Sequence, residues 1–323
     1  MKILFQAASV FLAVAVLIAP AGAQEKDIFN YVAQKNAGRD VKKIVFIADP
    51  DTHGAKGNHE FKAGAVYMAR VLNATYPNCY AVVHRSWKFD DAGKKKRVDA
   101  MPKDLDHADA IIVLLNHGRP AATSPAIIKA TERGAGFMAI HYGVEVDKGQ
   151  QGDNYLKWIG GYFETFWSVN PHWIAKFEKI PEHETTRGVK PFTSNDEWYY
   201  HMRFVDGMKG VTPVLSAVPE LKTLSSGEKA TPRGGNPAVF EAVKKGEPQH
   251  LAWAYVRPDG GRGFGFTGYH NYSNLTNDSF RTLLLNAAAW TAKLEVPKDG
   301  IPTKTPTKDE LEKLWQDGER IPN

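Results

Sequence analysis

The segment GFMAIHYGVE (residues 136–145) changes character abruptly at His141. Ahead of it lies a short apolar run, set off by Gly134 and Gly136, with the length and composition of a buried strand; behind it come His141, Tyr142 and Glu145, with Gly143 marking a turn. The same construction occurs twice earlier. KKIVFIA (residues 42–48) runs into the polar loop DPDTHGAKGNHE, which carries His53, and ADAIIVLLN (residues 108–116) stops at His117. A further apolar strand starts at Cys79. Helical spacing separates these runs: Phe61, Ala65, Met68, Ala69 and Leu72 behind an expected N-cap at Asn58, and a helix from Pro125 to about Arg133. Strands apolar along their whole length and alternating with helices imply a parallel sheet covered on both faces. The carboxyl ends of such strands share one edge, where the loops are clear of the covering helices and ligands bind.

The second half is richer in aromatics and glycine. Residues 173–180, 211–218, 250–257 and 261–269 alternate as half-buried or exposed strands do, which adds antiparallel strands to the parallel set. Residues 278–294 place Phe280, Leu283, Leu284, Ala287 and Trp290 on one helical face. Beyond Pro297 the chain is proline-rich, and only residues 307–317 have a helix start there. Residues 88–106 read as charged and irregular.

The first 23 residues stand apart: Lys2, an apolar stretch through Ile18, Pro20, then Ala21-Gly22-Ala23. This is the pattern of a secretory signal peptide cleaved after Ala23, which predicts a periplasmic or secreted protein with no membrane segment after cleavage. The expected organisation is signal peptide 1–23, leader 24–41, a domain over 42–296 and a tail over 297–323. Cys79 is the only cysteine, so no internal disulfide forms and the thiol reads as a small buried hydrophobe. A net charge of +5 and a single basic run, Lys94, Lys95, Lys96 and Arg97, argue against nucleic acid as a partner.

His53, His117 and His141 follow three strands expected to deliver their ends to one rim. His59 and Glu60 face the same rim from the start of the next helix, and His270, Asn271, Tyr272 and Asn274 close the GFTGYH segment. Histidines beside carboxylates exchange protons near neutral pH. Several histidines with one carboxylate also suit a divalent ion, and His53, His59, Glu60 and His141 are the candidate ligands, although their spacing matches no standard zinc signature. No cofactor is required by the sequence. A second group, GGYFETFWSVNPHW and DEWYYHMRF, supplies Glu164, Trp167, His172, Trp173, Glu197, Tyr199 and His201. Aromatics mixed with carboxylates and amides are how proteins hold hydroxyl-rich ligands. Glu197 and His201, four apart, share a face in a helix or a strand. His84, His107, His183 and His250 read as ordinary hydrogen-bonded residues, and His117 is balanced between the two roles. There is no G-x-S-x-G elbow for serine chemistry, and GRGFGF lies within a strand and so fails as a nucleotide loop.

With KKIVFIADPDTHGAKGNHEFKAG, GFMAIHYGVE, GGYFETFWSVNPHW, NDEWYYHMRF and RGFGFTGYHNYSN in this order, the chain resembles the ThuA-like, or trehalose-utilisation, family over residues 41–297. That resemblance implies a flavodoxin-like sheet of the class I glutamine amidotransferase type. In those enzymes a cysteine nucleophile sits at the elbow after a central strand. Here the elbow falls at His141-Tyr142, so glutamine hydrolysis by a thiolate is excluded. His270 falls near the amidotransferase histidine, but Tyr272 stands where its glutamate would be. The family name links the chain to sugar catabolism. The expectation is an enzyme acting on a small-molecule carbohydrate, a disaccharide, glycoside or keto-sugar, by acid–base chemistry with or without a metal. His141 and Glu145 form the expected central pair, with His53, His270, Glu197 and His201 as partners. Tyr142, Trp167, Trp173, Tyr199, Asn271 and Tyr272 are the expected substrate contacts. A non-catalytic sugar-binding or scaffold domain with the same pocket is the alternative.

Overall fold

The computed structural model describes residues 28–29, 40–50, 53–90, 96–224 and 235–319. The expected signal peptide lies outside the described residues, as does most of the leader.

Strand β1 (Lys42–Ala48) is apolar almost throughout and buried along nearly its whole length, so it takes an interior place in the sheet. It pairs in parallel with β2 (Cys79–Arg85). Between β2 and the next sheet strand, where the sequence reads as irregular, β3 (Trp87–Phe89) and β4 (Arg97–Asp99) form a small antiparallel pair. Strands β5 (Ala110–Leu114) and β6 (Gly136–Ile140) continue the parallel set. Two short antiparallel pairs sit outside the sheet: β7 (Gly161–Tyr162) with β10 (Arg203–Phe204), and β8 (Trp173–Phe177) with β9 (Phe192–Asp196). The chain then returns through β11 (Val211–Ala217), β12 (Gln249–Val256) and β13 (Arg262–Phe266), giving the order β11-β12-β13-β6-β5-β1-β2. The parallel part, β2-β1-β5-β6-β13, is the flavodoxin-like 2-1-3-4-5 arrangement, with β12 antiparallel to both its neighbours.

Strand β13 is where the sequence pattern misled. Its alternation of glycine and larger residues reads as half-exposed, yet Gly263 to Phe266 are buried at the centre of the sheet. A Cβ on Gly263 would meet Trp158 O at 2.0 Å, and one on Gly265 would meet the Trp253 ring at 2.1 Å. The glycines mark a face on which an indole and a helix end lie directly against the backbone, and not a face open to water.

Helix α1 (Phe61–Thr75) covers one face of the sheet; α2 (Arg119–Thr123), α3 (Pro125–Glu132) and α4 (Gln150–Ile159) cover the other. Helix α5 (Pro237–Lys244) and α6 (Asp278–Thr291) add Val239, Val243, Leu283 and Leu284 to the core on the α1 side. Helix α7 (Lys308–Gly318) starts with a capping box between Thr307 and Glu310, as the sequence suggests, and packs on α1 with Leu311 and Leu314 buried. The segment after Pro297 is thus part of the packed body. Helices α4 and α5 were not foreseen; α4 contains Gly152, which sits against the Tyr162 ring and weakens the apolar periodicity.

Candidate functional site

Strand β6 ends at Ile140, and the chain turns at once: His141 has φ +53° and opens a single 3-10 turn, His141–Val144. This is the expected elbow, with an imidazole where the resembling amidotransferases carry a thiol. A left-handed conformation at a residue other than glycine is costly and persists only where the surroundings over-determine it. Two further rim residues share it, His59 at φ +54° and Tyr269 at φ +93°. These turns aim side chains from four separate segments into one buried space. His59 comes from the loop after β1, His141 from the elbow, Glu197 from just past β9, and His270 from just past β13.

One ligand atom from each of His59, His141, Glu197 and His270 lies within 4.8 Å of the other three, and such a donor set could hold a metal ion. Within the cluster, Nδ1 of His270 is 3.0 Å from Nε2 of His59 and 3.2 Å from Oε2 of Glu197. Nε2 of His141 is 3.4 Å from the same carboxylate oxygen. The Tyr199 hydroxyl stands 3.3 Å from Nε2 of His141 and 3.4 Å from Oε2 of Glu197. His53 stacks on His59 at 3.8 Å. The rim histidines expected to converge therefore do so, with His59 as the link between His53 and the rest.

The outer nitrogens are fixed by backbone carbonyls. Nδ1 of His59 lies 2.8 Å from the His53 carbonyl and Nδ1 of His141 lies 2.9 Å from the Thr267 carbonyl. A carbonyl only accepts, so each Nδ1 carries a proton, and whenever the ring is neutral its Nε2 presents a lone pair to the centre. Burial, then the charge of His141, pushes His59 down to about 3, so it stays neutral. Burial raises the Glu197 carboxyl, but hydrogen bonds and charge from His141 and His270 outweigh this and hold it well below the usual carboxylate range. Burial, then Glu197 and Glu145, keeps the Tyr199 hydroxyl protonated far above its ordinary value.

Asp196, immediately before Glu197, was not singled out by sequence reasoning, yet it ties the centre together. It is fully buried, and its two oxygens accept from the backbone N–H of Glu197, Tyr269 and Asn271 and from the Asn274 amide, at 2.8–3.0 Å. One carboxylate thus positions both Glu197 and the turn that carries His270. The His59 and His270 loops are also joined directly: His59 N donates to His270 O, Tyr272 N donates to Gly57 O, and Asn58 bridges Asn271. Asn58 is therefore not the N-cap of α1, which begins at Phe61 behind Glu60.

Tyr142 forms one wall, its ring 5.5 Å from His117, 5.7 Å from His53 and 6.4 Å from Tyr199. Behind it Nε2 of His117 lies 3.8 Å from Oε1 of Glu145, which also accepts from the Thr165 hydroxyl. Glu145 is thus the partner of His117, and the carboxylate beside His141 is Glu197. The reason is the 3-10 turn, which closes with Glu145 N on Tyr142 O and swings Glu145 away from the elbow. Asn116 Oδ1 meets Nδ1 of His53 at 2.6 Å across the gap between β1 and β5, where the strand order reverses. His172 reaches the opposite side, 4.5 Å from the His270 ring.

Other expected site residues are engaged elsewhere. Glu60 turns from the centre and accepts from Gly57 N, because the tight turn at His59 sends consecutive side chains in opposite directions. His201 stacks on Trp167, whose ring also lies 3.5 Å from the Arg203 guanidinium; Arg203 in turn forks onto Glu164. Glu197 and His201 do not act as a pair, since the chain between them is neither helix nor continuous strand. Trp173 is buried and donates its indole N–H to Trp198 O. Asn271 donates to Asn195 O, and the Tyr272 hydroxyl donates to Leu311 O at the base of α7. Of the six expected substrate contacts, Tyr142 and Tyr199 stand at the centre. His84, His183 and His250 bond to Arg85 O, Thr185 and Ser216, the ordinary roles expected of them.

Comparison with known proteins agrees with this architecture. The chain is similar to a ThuA-like protein from Bacteroides uniformis ATCC 8492, at 19% identity and a TM-score of 0.50, over 81% of this chain and 95% of that one. That likeness concerns the fold. No curated protein matches the chain. The sequence model of the ThuA family, described as trehalose utilisation, matches residues 56–291, a span that takes in His59, His141, Glu197 and His270. The chain belongs to the ThuA-like family.

Proposed function

We propose that this protein is an exported enzyme that acts on a disaccharide, glycoside or keto-sugar by acid–base chemistry at the rim built by His59, His141, Glu197 and His270. The observation that carries the reading is the convergence of three imidazoles and an ionised carboxylate in one buried cluster, beside a second His–carboxylate pair. A sugar hydroxyl laid against the cluster meets groups that accept its proton, and a sugar carbonyl meets the Tyr199 hydroxyl as a donor. Tyr199, held protonated, is a donor to a developing oxyanion. His117 and Glu145, behind Tyr142, are the pair placed to move a proton to or from the neighbouring carbon or leaving oxygen. Elimination, hydration, isomerisation and hydrolysis all need this combination. The family's description as trehalose utilisation supports a carbohydrate substrate. The signal-peptide pattern ending at Ala23 supports action in the periplasm or outside the cell.

The test is to incubate the purified mature protein with a panel of glycosides and keto-glycosides and follow products by mass spectrometry. His141→Ala should abolish turnover while circular dichroism and thermal melting remain those of a folded protein. Turnover at the parent rate in that variant would remove the elbow imidazole from the reaction. Binding of panel sugars without product would convert the reading to a sugar-binding domain.

A further inference from the structure

We infer that His59, His141, His270 and Glu197 are the four protein ligands of one divalent transition-metal ion, bound through Nε2 of His59 and His141, Nδ1 of His270 and Oε2 of Glu197. The inference deepens the carbohydrate reading above, and rests on it only for what the ion would do to a substrate.

Spacing is the first ground. Imidazole and carboxylate ligands bind such ions at about 2.0–2.2 Å, so neighbouring donors around one ion stand roughly 3.0–3.5 Å apart. The three closest separations in the cluster are 3.0, 3.2 and 3.4 Å, and no pair exceeds 4.8 Å. That spread suits a shell with open positions better than a closed structural tetrahedron. The donor set, three nitrogens and one oxygen, favours zinc, cobalt, nickel, iron or manganese over magnesium or calcium, which take oxygen ligands.

Proton bookkeeping is the second ground. The carbonyls of His53 and Thr267 fix protons on the outer nitrogens of His59 and His141, leaving inward lone pairs. This is the arrangement that orients metal-binding histidines. With the Glu197 carboxylate, the centre then holds more acceptors than donors: the Asn170 amide donates to the outer oxygen Oε1, and the donors in reach of the inward atoms are the Tyr199 hydroxyl and one N–H of His270. Among the described residues the ion-pair partners of Glu197 are His141 and His270, with no lysine or arginine. A cation at the centre satisfies all four acceptors at once, with His270 carrying its proton on the outer nitrogen.

The third ground is the backbone. Two of the four ligands, His59 and His141, are held in left-handed conformations that disfavour a side chain, and the loops bearing His59 and His270 are bonded to each other. The fold accepts this strain to bring donors from distant segments to one point. The open positions would face Tyr142 and the His117–Glu145 pair, so the substrate class is one that offers adjacent oxygens, a vicinal diol or a hydroxy-ketone, to the ion. The ion would act as a Lewis acid on such an oxygen.

The experiment uses the full mature chain stripped with chelator. Equilibrium dialysis with elemental analysis should find one ion per chain from zinc or cobalt solutions and none from magnesium. The cobalt form should show a visible ligand-field spectrum. Glu197→Gln and His59→Ala should each weaken binding by at least ~100-fold and alter that spectrum, while His183→Ala should leave both unchanged. Less than stoichiometric binding, or equal affinity in the parent and both ligand variants, overturns the assignment. Turnover of panel sugars that resists complete chelation would overturn the Lewis-acid role given to the ion, yet leave the acid–base reading standing. A stoichiometric ion at these ligands with no sugar converted would support the metal site while removing the proposed function.

Discussion

Replacing Asp196 by Asn changes one atom and removes one charge, yet it should cost more than a typical single substitution. The Asp196 carboxylate accepts four hydrogen bonds in a fully buried position. An Asn placed with its oxygen toward Glu197 N and Asn271 N keeps those two. Its amide then faces the Tyr269 N–H and the Asn274 amide, donor against donor. Asn274 can rotate its oxygen inward, but it then gives up its bond to Asn195 O at 3.0 Å. The Tyr269 N–H has no such escape, because the backbone there is held at φ +93°. One orphaned buried donor costs about 1–3 kcal/mol and one lost neutral hydrogen bond about 0.5–1.5 kcal/mol, so together they cost roughly 1.5–4.5 kcal/mol. Against a typical domain stability of about 5–15 kcal/mol the variant should fold, with its urea midpoint clearly lowered. It should also bind zinc or cobalt more weakly, since Glu197 and the His270 turn both hang on that carboxylate. An unfolding free energy within about 0.5 kcal/mol of the parent together with unchanged metal affinity would show that Asp196 is not the organiser of the centre.

Three further outcomes follow from the same geometry. Gly265→Ala should lose about 1–3 kcal/mol by urea unfolding, because the new methyl would enter the buried Trp253 ring, which has no open side to move into. In the metal-free protein His59 is depressed from 6.5 to about 3, so its contribution to stability is complete above pH 6.5 and is lost as pH falls toward 3. The slope is about 1.4 kcal/mol per pH unit, and urea midpoints between pH 7 and pH 4.5 should fall with acid, less so in His59→Ala and more steeply with zinc bound, because the ion keeps all its imidazole ligands unprotonated in the folded state. Tyr272→Phe should lower stability by about 0.5–1.5 kcal/mol through the lost bond to Leu311 O and leave kcat and KM unchanged; a raised KM would return Tyr272 to the substrate.

The parallel half of the fold was legible because its strands are apolar along their whole length, and each ends where a polar loop begins. β1, β2, β5 and β6 stand within a residue or two of where the sequence puts them. β13 was found but misjudged, since Gly263 and Gly265 look like pattern breaks until Trp158 and Trp253 are seen against them. The site divides along the same line. His53, His59 and His141 could be placed at one rim because they follow, or lie next to, strands whose direction was known. Glu197 and His270 are candidates in the sequence, but their junction with the others depends on residues 56 to 211 positions apart, from Glu197 beside His141 to His270 beside His59. Periodicity carries no information about that. Glu60 follows His59 directly in sequence, but the left-handed residue at His59 turns its carboxylate to Gly57 N, and the carboxylate that stands among the rim histidines is Glu197.

Asp196 shows why a residue that acts through the backbone around a site escapes such reading. Nothing separates it in sequence from any other aspartate at a strand end, and its importance is the number of backbone donors it collects. The elbow makes the complementary point. A parallel sheet of this order presents one sharply turned residue at the end of a central strand, and the fold fixes where that residue points but not what it is. With a thiol there the site is built for covalent acyl chemistry. With His141 there, the same turn delivers a lone pair, and a lone pair becomes useful when other lone pairs meet it. His59, His270 and Glu197 arrive from three other loops to do so. The chemistry of this family member is therefore set by which donors the loops bring to the elbow, and the sheet beneath supplies the aim.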